Sequence, residues 1–345
     1  MHRESSKIVV VRLYFAFVVC LPLFGQPEPP LSDQSVPYSR ANVPDLPTIR
    51  TNVPLVLAPA TVTDAKGNLI DGLSVNDFVL TDNGKPQKIR MDTSDTVLAP
   101  ISIVILIQSS GISIPELGRI RNIGAMIKPI VIGDRGQAAV ISYDNEVRVL
   151  QPFTSDSTKI QAAIEQVEPY TVKSARLTDA VMEGVDMLAT RPENYRRVML
   201  ILGESRDRSS KASLADAIEK IQRSGVTVYF GTYSAQASAW TVKPENDPSM
   251  PYDGNYIGGI VELARLGKKN AADAFARASG GRHLSFTLNS TLENVITRTG
   301  EELHSQYLLS FAPESDGDAF HKIEVKIPSR PDAVIRVRPG YWPQK

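Results

Sequence analysis

The chain has 345 residues, with 38 Lys and Arg balanced by 38 Asp and Glu. Apolar residues at 42% and charged residues at 22% suit a globular fold with a sizeable core, and the length suits about two domains. Balanced charge argues against a nucleic-acid binder, which needs a basic surplus to displace phosphate counterions. Four histidines and one cysteine leave few ligands for transition metals.

The first 25 residues read as a secretory signal. Lys7 and Arg12 precede Leu13–Phe24, which is apolar apart from Pro22. As a helix that run reaches about 18 Å, against a hydrocarbon core of ~30 Å. An uncleaved anchor counted from Ile8 is the alternative. Removing residues 1–25 takes away Arg3, Lys7, Arg12, Glu4 and Cys20, leaving a mature chain of net charge −2 with no cysteine. A secreted or periplasmic envelope protein without disulfides is expected, hence no disulfide-linked partner. Residues 26–52 are polar and proline-rich, a semi-rigid linker.

Residues 53–98 read as strands. Asp64–Asn68 is a turn, Ser74 and Asp77 form a candidate capping box, and Asn83-Gly84 suits a tight type I′ hairpin. The other end, 305–342, is similar. Ser305–Ala312 is apolar, Lys322–Ile327 alternates, and Val334–Arg338 offers a third strand. Sheets from either end alone leave a face unburied, so one β-sandwich built from both ends is expected.

The middle, 99–304, alternates strand and helix. Ser102–Gln108 is continuously apolar up to Gln108, as a strand covered on both faces must be. Gln137–Tyr143, Arg197–Leu202, Val226–Thr232 and Arg282–Thr287 are further strands. Ile160, Ala163, Ile164 and Val167 have helical spacing, as do Leu214, Ala217, Ile218 and Ile221, with Gly225 as a helix stop. The fold class is therefore α/β: a doubly wound, mostly parallel sheet inserted in a sandwich of N- and C-terminal strands.

Ligands of such sheets bind outside the carboxyl ends of the strands. Two of those ends read Ile107-Gln-Ser-Ser-Gly-Ile-Ser113 and Leu202-Gly-Glu-Ser-Arg-Asp207. These segments, with "SYDNEVRVLQPFTSD" (142–156) and "LTDAV" (177–181), resemble a von Willebrand factor type A domain. The block "VTDAKGNLIDGLSVNDFVLTDNGKPQKI" (62–89) and the tail pieces "SQYLLSFAP" and "IRVRPGYW" are similar to the exported bacterial VWFA-related family.

That resemblance implies a metal-ion-dependent adhesion site, in which Asp-x-Ser-x-Ser, a Thr and a second Asp hold Mg²⁺ for a partner's carboxylate. This chain departs from the pattern. The first Asp falls on Gln108, the Ser positions on Ser110 and Ile112, the Thr on Ala175, and the second Asp on Glu204. Ser109 and Ser113 are out of register. A degenerate site with no cofactor is expected; Mg²⁺ on Ser110 and Glu204 is the alternative. Asp179 is expected as a hydrogen-bonded helix residue, Arg206 and Asp207 as solvated loop, and Asp144-Asn145 as a turn.

The segment 233–258 is long for a connection and leaves a strand's carboxyl end, so Tyr233, Trp240, Tyr252 and Tyr256 are candidate partner contacts. No hydrolase elbow is present: Gly203-Glu-Ser-Arg-Asp207 lacks the final glycine. His283, His304 and His321 lack metal-ligand spacing. The expected function is a non-catalytic module binding an extracellular or envelope protein or polymer. A Mg²⁺-dependent adhesin and an envelope scaffold are the alternatives.

Overall fold

The computed structural model describes residues 55–92, 99–110, 113–170, 174–192, 194–233, 270–286, 292–313 and 319–343. The leader, the linker, Ile112, Trp240, Tyr252 and Tyr256 lie outside the described residues.

The central sheet has six strands in the order β10-β9-β8-β5-β6-β7. These are β5 (Ile101–Gln108), β6 (Gln137–Tyr143), β7 (Val147–Thr154), β8 (Arg196–Gly203), β9 (Thr227–Tyr233) and β10 (Arg282–Phe286). All neighbours are parallel except the β6–β7 hairpin. The apolar run of β5 follows from burial on both faces. Ile101, Ile103, Ile105 and Ile107 enter one core, and Val104 and Leu106 enter the other.

Helices cover each face. On the first lie α1 (Ile114–Asn122), α2 (Ser157–Glu165) and α6 (Leu292–His304); on the second lie α3 (Leu177–Ala189), α4 (Leu214–Ser224) and α5 (Ala271–Ser279). The end signals of α4 are realised: the Ser213 side chain accepts from Asp216 N–H at 3.1 Å, and Gly225 closes the helix at φ +63°. No described helix is long and apolar enough to cross a membrane.

Strands from both ends of the described chain form two further sheets, β13-β1-β11-β4 and β14-β12-β2-β3. The first joins β1 (Val56–Thr63), β4 (Arg90–Asp92), β11 (Tyr307–Phe311) and β13 (Val334–Arg336). The second joins β2 (Val79–Asp82), β3 (Lys85–Pro86), β12 (His321–Lys326) and β14 (Gly340–Tyr341). Each end thus supplies four strands rather than three. Ala58, Ala60, Leu309 and Phe311 of one sheet share a core with Leu80, Ile323 and Tyr341 of the other. Asn83 and Gly84, at φ +48° and +80°, make the tight turn between β2 and β3. The Asp77 carboxylate accepts from Ser74 N–H and Oγ at 2.7 and 2.8 Å, the half of the capping box that holds the short helical turn Val75–Asp77 ahead of β2.

The sandwich joins the sheet at its amino ends. Glu302 pairs with Arg282 and, at 2.6 Å, with Arg336, and Arg336 also donates to Gly281 O at 3.1 Å. Arg338 donates to Gln222 O, and Arg196, at the start of β8, donates to Gln306 Oε1, whose amide nitrogen reaches Thr61 Oγ1 of β1 at 3.2 Å. The opposite, carboxyl edge is left for the site.

Candidate functional site at the carboxyl edge of the sheet

Strands β5 and β8 are neighbours, so Gln108 and Glu204 meet at the carboxyl edge. The buried Gln108 amide is used at both ends: Nε2 donates to Ser110 Oγ at 2.8 Å, and Oε1 accepts from Glu204 N–H at 2.7 Å. Ser109, also buried, donates its N–H to Tyr143 O at 2.8 Å, and its carbonyl accepts from Tyr170 N–H at 2.8 Å. Ser113 N–H donates to Ser110 O at 2.8 Å. Ala175 is buried and offers only its carbonyl, which accepts from Arg208 N–H at 3.1 Å.

Gly203 has a steric reason to be glycine. A Cβ there would lie 2.3 Å from Tyr143 Oη and 2.8 Å from Gln108 Oε1. The Tyr143 phenol is fully buried, and its hydroxyl has no hydrogen-bond partner among the described residues. Burial pushes its pKa well up, and Tyr233, Asp207 and Glu204 add to the rise.

The loop after β8 is pinned rather than loose. Asp207 Oδ2 accepts from the Thr178 hydroxyl and from Thr178 N–H at 3.3 Å, and its Oδ1 accepts from Ser210 N–H at 3.1 Å. This corrects the expectation of a solvated Asp207: a carboxylate at the start of α3 satisfies amides that the helix leaves unpaired. Asp179 accepts from Ala212 N–H at 2.9 Å and Lys211 N–H at 3.0 Å, a hydrogen-bonding role that ties α3 to the loop. Glu204 Oε2 lies 3.3 Å from Arg208 Nη2.

Two further assignments change. Tyr233 is only 3% exposed and donates its O–H to Ser113, so it supports the edge from inside and does not offer a partner contact. Asp144 does turn the chain between β6 and β7, but it is fully buried and pairs with Arg148 at 2.9 Å. The Arg148 guanidinium in turn stacks on Tyr170, 4.2 Å from the ring centroid. Sequence reading missed Arg148 and Tyr170 because they are 22 residues apart; the "YDNEVR" spacing, which returns an arginine beside the turn aspartate, was the available signal.

The three described histidines are separate. His304 Nε2 donates to Ile130 O at 3.1 Å, and His321 Nδ1 lies 2.8 Å from Asp82 inside the sandwich. His283 donates from Nδ1 to Asp273 at 2.6 Å and accepts at Nε2 from the Thr232 hydroxyl at 2.8 Å. Thr232 is buried in β9, so this acid–imidazole–hydroxyl chain clamps α5 to β9 and β10.

The Mg²⁺ site implied by the resemblance does not fit these residues. The Gln108 amide is spent on protein groups, Ala175 has no side-chain oxygen, and Glu204 faces a guanidinium. Among the described residues no group of three or more His, Cys, Asp or Glu is placed to hold a metal.

An open, mostly parallel sheet with helices on both faces and a polar cluster where adjacent strands end defines a class of α/β ligand-binding domains. Residues 103–239 match the family model described as von Willebrand factor type A domain, and the chain carries such a domain. It is similar to an aerotolerance-related membrane protein from Bacteroides fragilis NCTC 9343 at 14% identity and TM-score 0.44, over 59% of this chain and 98% of that one. BatB from Bacteroides thetaiotaomicron is similar at 10% identity and TM-score 0.43, over 59% of this chain and 97% of that one. Proximal thread matrix protein 1 from mussel byssus, solved with a zinc-occupied MIDAS motif, is similar at 12% identity and TM-score 0.41, over 61% of this chain and 47% of that one. A comparison with curated proteins gives no match.

Proposed function

We propose that the chain is an exported, non-catalytic binding module that presents the carboxyl edge of its type A domain to an envelope or extracellular protein, without a divalent cation. The observation that carries this reading is the Gln108 bridge between Ser110 and Glu204, which commits the pivotal side chain of the edge to hydrogen bonds within the protein. Beside it lies a surface suited to contact. Tyr170, 41% exposed, stacks with Arg148, and Val149 next to that arginine is 43% exposed. Tyrosine and arginine supply large, rigid contact area with polar tips, the chemistry of interface anchors. The sequence that follows β9 supplies Trp240, Tyr252 and Tyr256 as further candidate contacts.

Capture from envelope extracts tests the proposal. The immobilised chain retains its partner equally in Mg²⁺ and in EDTA, and loses it on combined Tyr170→Ala and Arg148→Ala substitution. Capture abolished by EDTA overturns metal independence. Capture unaffected by the double substitution overturns the contact surface.

A further inference from the structure

We propose that Ser285 is a base-activated hydroxyl at the carboxyl end of β10, a site of covalent modification by neutral acyl esters. The proposal goes beyond the binding reading above: the chain accepts one acyl group and does not turn over.

The chemistry comes from four side chains carried by β9, β10 and α5. Thr232 and Ser285 are register partners in the parallel pair, and their hydroxyl oxygens lie 3.2 Å apart. His283 stands two residues before Ser285, on the same face of the strand, and places Nε2 2.8 Å from Thr232 Oγ1. Its Nδ1 lies 2.6 Å from the Asp273 carboxylate. That contact keeps the proton on Nδ1 and leaves the Nε2 lone pair directed at the threonine hydroxyl. Asp273 is oriented in turn by Asn270, which donates from Nδ2 to its Oδ2 at 2.9 Å and accepts from its N–H at 3.2 Å. A hydroxyl, a base within hydrogen-bond reach and a third group orienting the base are the parts of an activated nucleophile.

Place and access agree with this. Each hydroxyl residue is the last but one of its strand, at the end of an open α/β sheet where ligands bind. Thr232 is buried and Ser285 is exposed, so Ser285 meets the acyl donor and Thr232 passes its proton inward. The charge nearest the base is the Asp273 carboxylate, which disfavours an anionic phosphoryl donor and leaves a neutral ester as the matching class.

In the step, Ser285 Oγ bonds to the ester carbonyl carbon while its proton moves to Thr232 Oγ1 and the threonine proton moves to His283 Nε2. The tetrahedral adduct then breaks its bond to the ester oxygen, which leaves with the imidazolium proton as an alcohol or phenol. An O-acyl serine remains, and the relay is restored.

The full chain incubated with p-nitrophenyl acetate is expected to gain one acetyl group, mapped to Ser285 by peptide mass spectrometry. Ser285→Ala loses it. His283→Gln and Thr232→Val slow it by about 100-fold or more, the contribution of a positioned general base, and Thr232→Ser retains it. Should the valine variant fail to fold, wild type unfolded in urea supplies the comparison, with Ser285 acetylated about 100-fold more slowly than in the folded chain. Acetylation confined to other residues, an equal rate in His283→Gln, or an equal rate in the unfolded chain overturns the proposal. Partner capture is read separately, so failure here is distinguishable from failure of the binding surface.

Discussion

Gln108 on β5 and Glu204 just beyond β8 share one hydrogen bond, from the glutamate's backbone N–H to the glutamine's Oε1, at 2.7 Å. The other end of the same amide holds Ser110. A single buried side chain thus sets the spacing of two loops.

Replacing it therefore has a defined cost. Gln108→Leu deprives the Glu204 amide and the Ser110 hydroxyl of these bonds, and each buried group left unsatisfied costs about 1–3 kcal/mol. Urea unfolding followed by circular dichroism is expected to show a lower midpoint with an unchanged slope. An unaltered midpoint would mean that the bridge contributes nothing.

Gly203 and Tyr143 form a second testable pair. Gly203→Ala drives a methyl into the phenol oxygen and the Gln108 amide, and overpacking of this kind costs about 1–3 kcal/mol. Tyr143→Phe removes an oxygen that has no partner among the described residues, so alone it is expected to be neutral or stabilising. Combined with Gly203→Ala it restores part of the loss. A double-mutant cycle of melting curves that is strictly additive would refute the contact.

The junction with the sandwich depends on Glu302, whose side chain is 4% exposed and is shared between Arg282 and Arg336. Glu302→Ala leaves two partly buried guanidinium groups without this acid, at a cost of about 3 kcal/mol. Calorimetry is expected to show a melting point several degrees lower. Loss confined to below half a degree would show that the sandwich is not held by this network.

Acid should weaken the α5 clamp. The His283 hydrogen bond holds the Asp273 carboxyl below the usual carboxylate range, against the opposing effect of burial. A depressed pKa stabilises the fold above the unfolded value of about 3.9 and loses that contribution as pH falls through the lower, folded value. Stability of the wild type should therefore decline more steeply below about pH 4 than that of Asp273→Asn. Parallel pH profiles from urea midpoints would exclude the linkage.

Much of the architecture was legible before any tertiary information. The apolar run 103–107 of β5 can be satisfied only by cover on both faces, and the helical spacing of Ile160–Val167 and Leu214–Ile221 supplies that cover. Asn83-Gly84 and Gly225 mark backbone conformations that few other residues adopt without strain. These are local properties, carried by side-chain periodicity and backbone sterics within a few neighbours.

The state of the site was decided at longer range. Sequence alone determined that Gln108, Ala175 and Glu204 stand where the family resemblance would place an acid, a hydroxyl and an acid. Only the tertiary structure decided that the glutamine spends its amide across two strands, that Asp207 caps a helix 29 residues earlier, and that Tyr233 points inward to Ser113. The physical reason is that a hydrogen bond requires two groups within about 3 Å, and no local pattern encodes distances between segments a hundred residues apart.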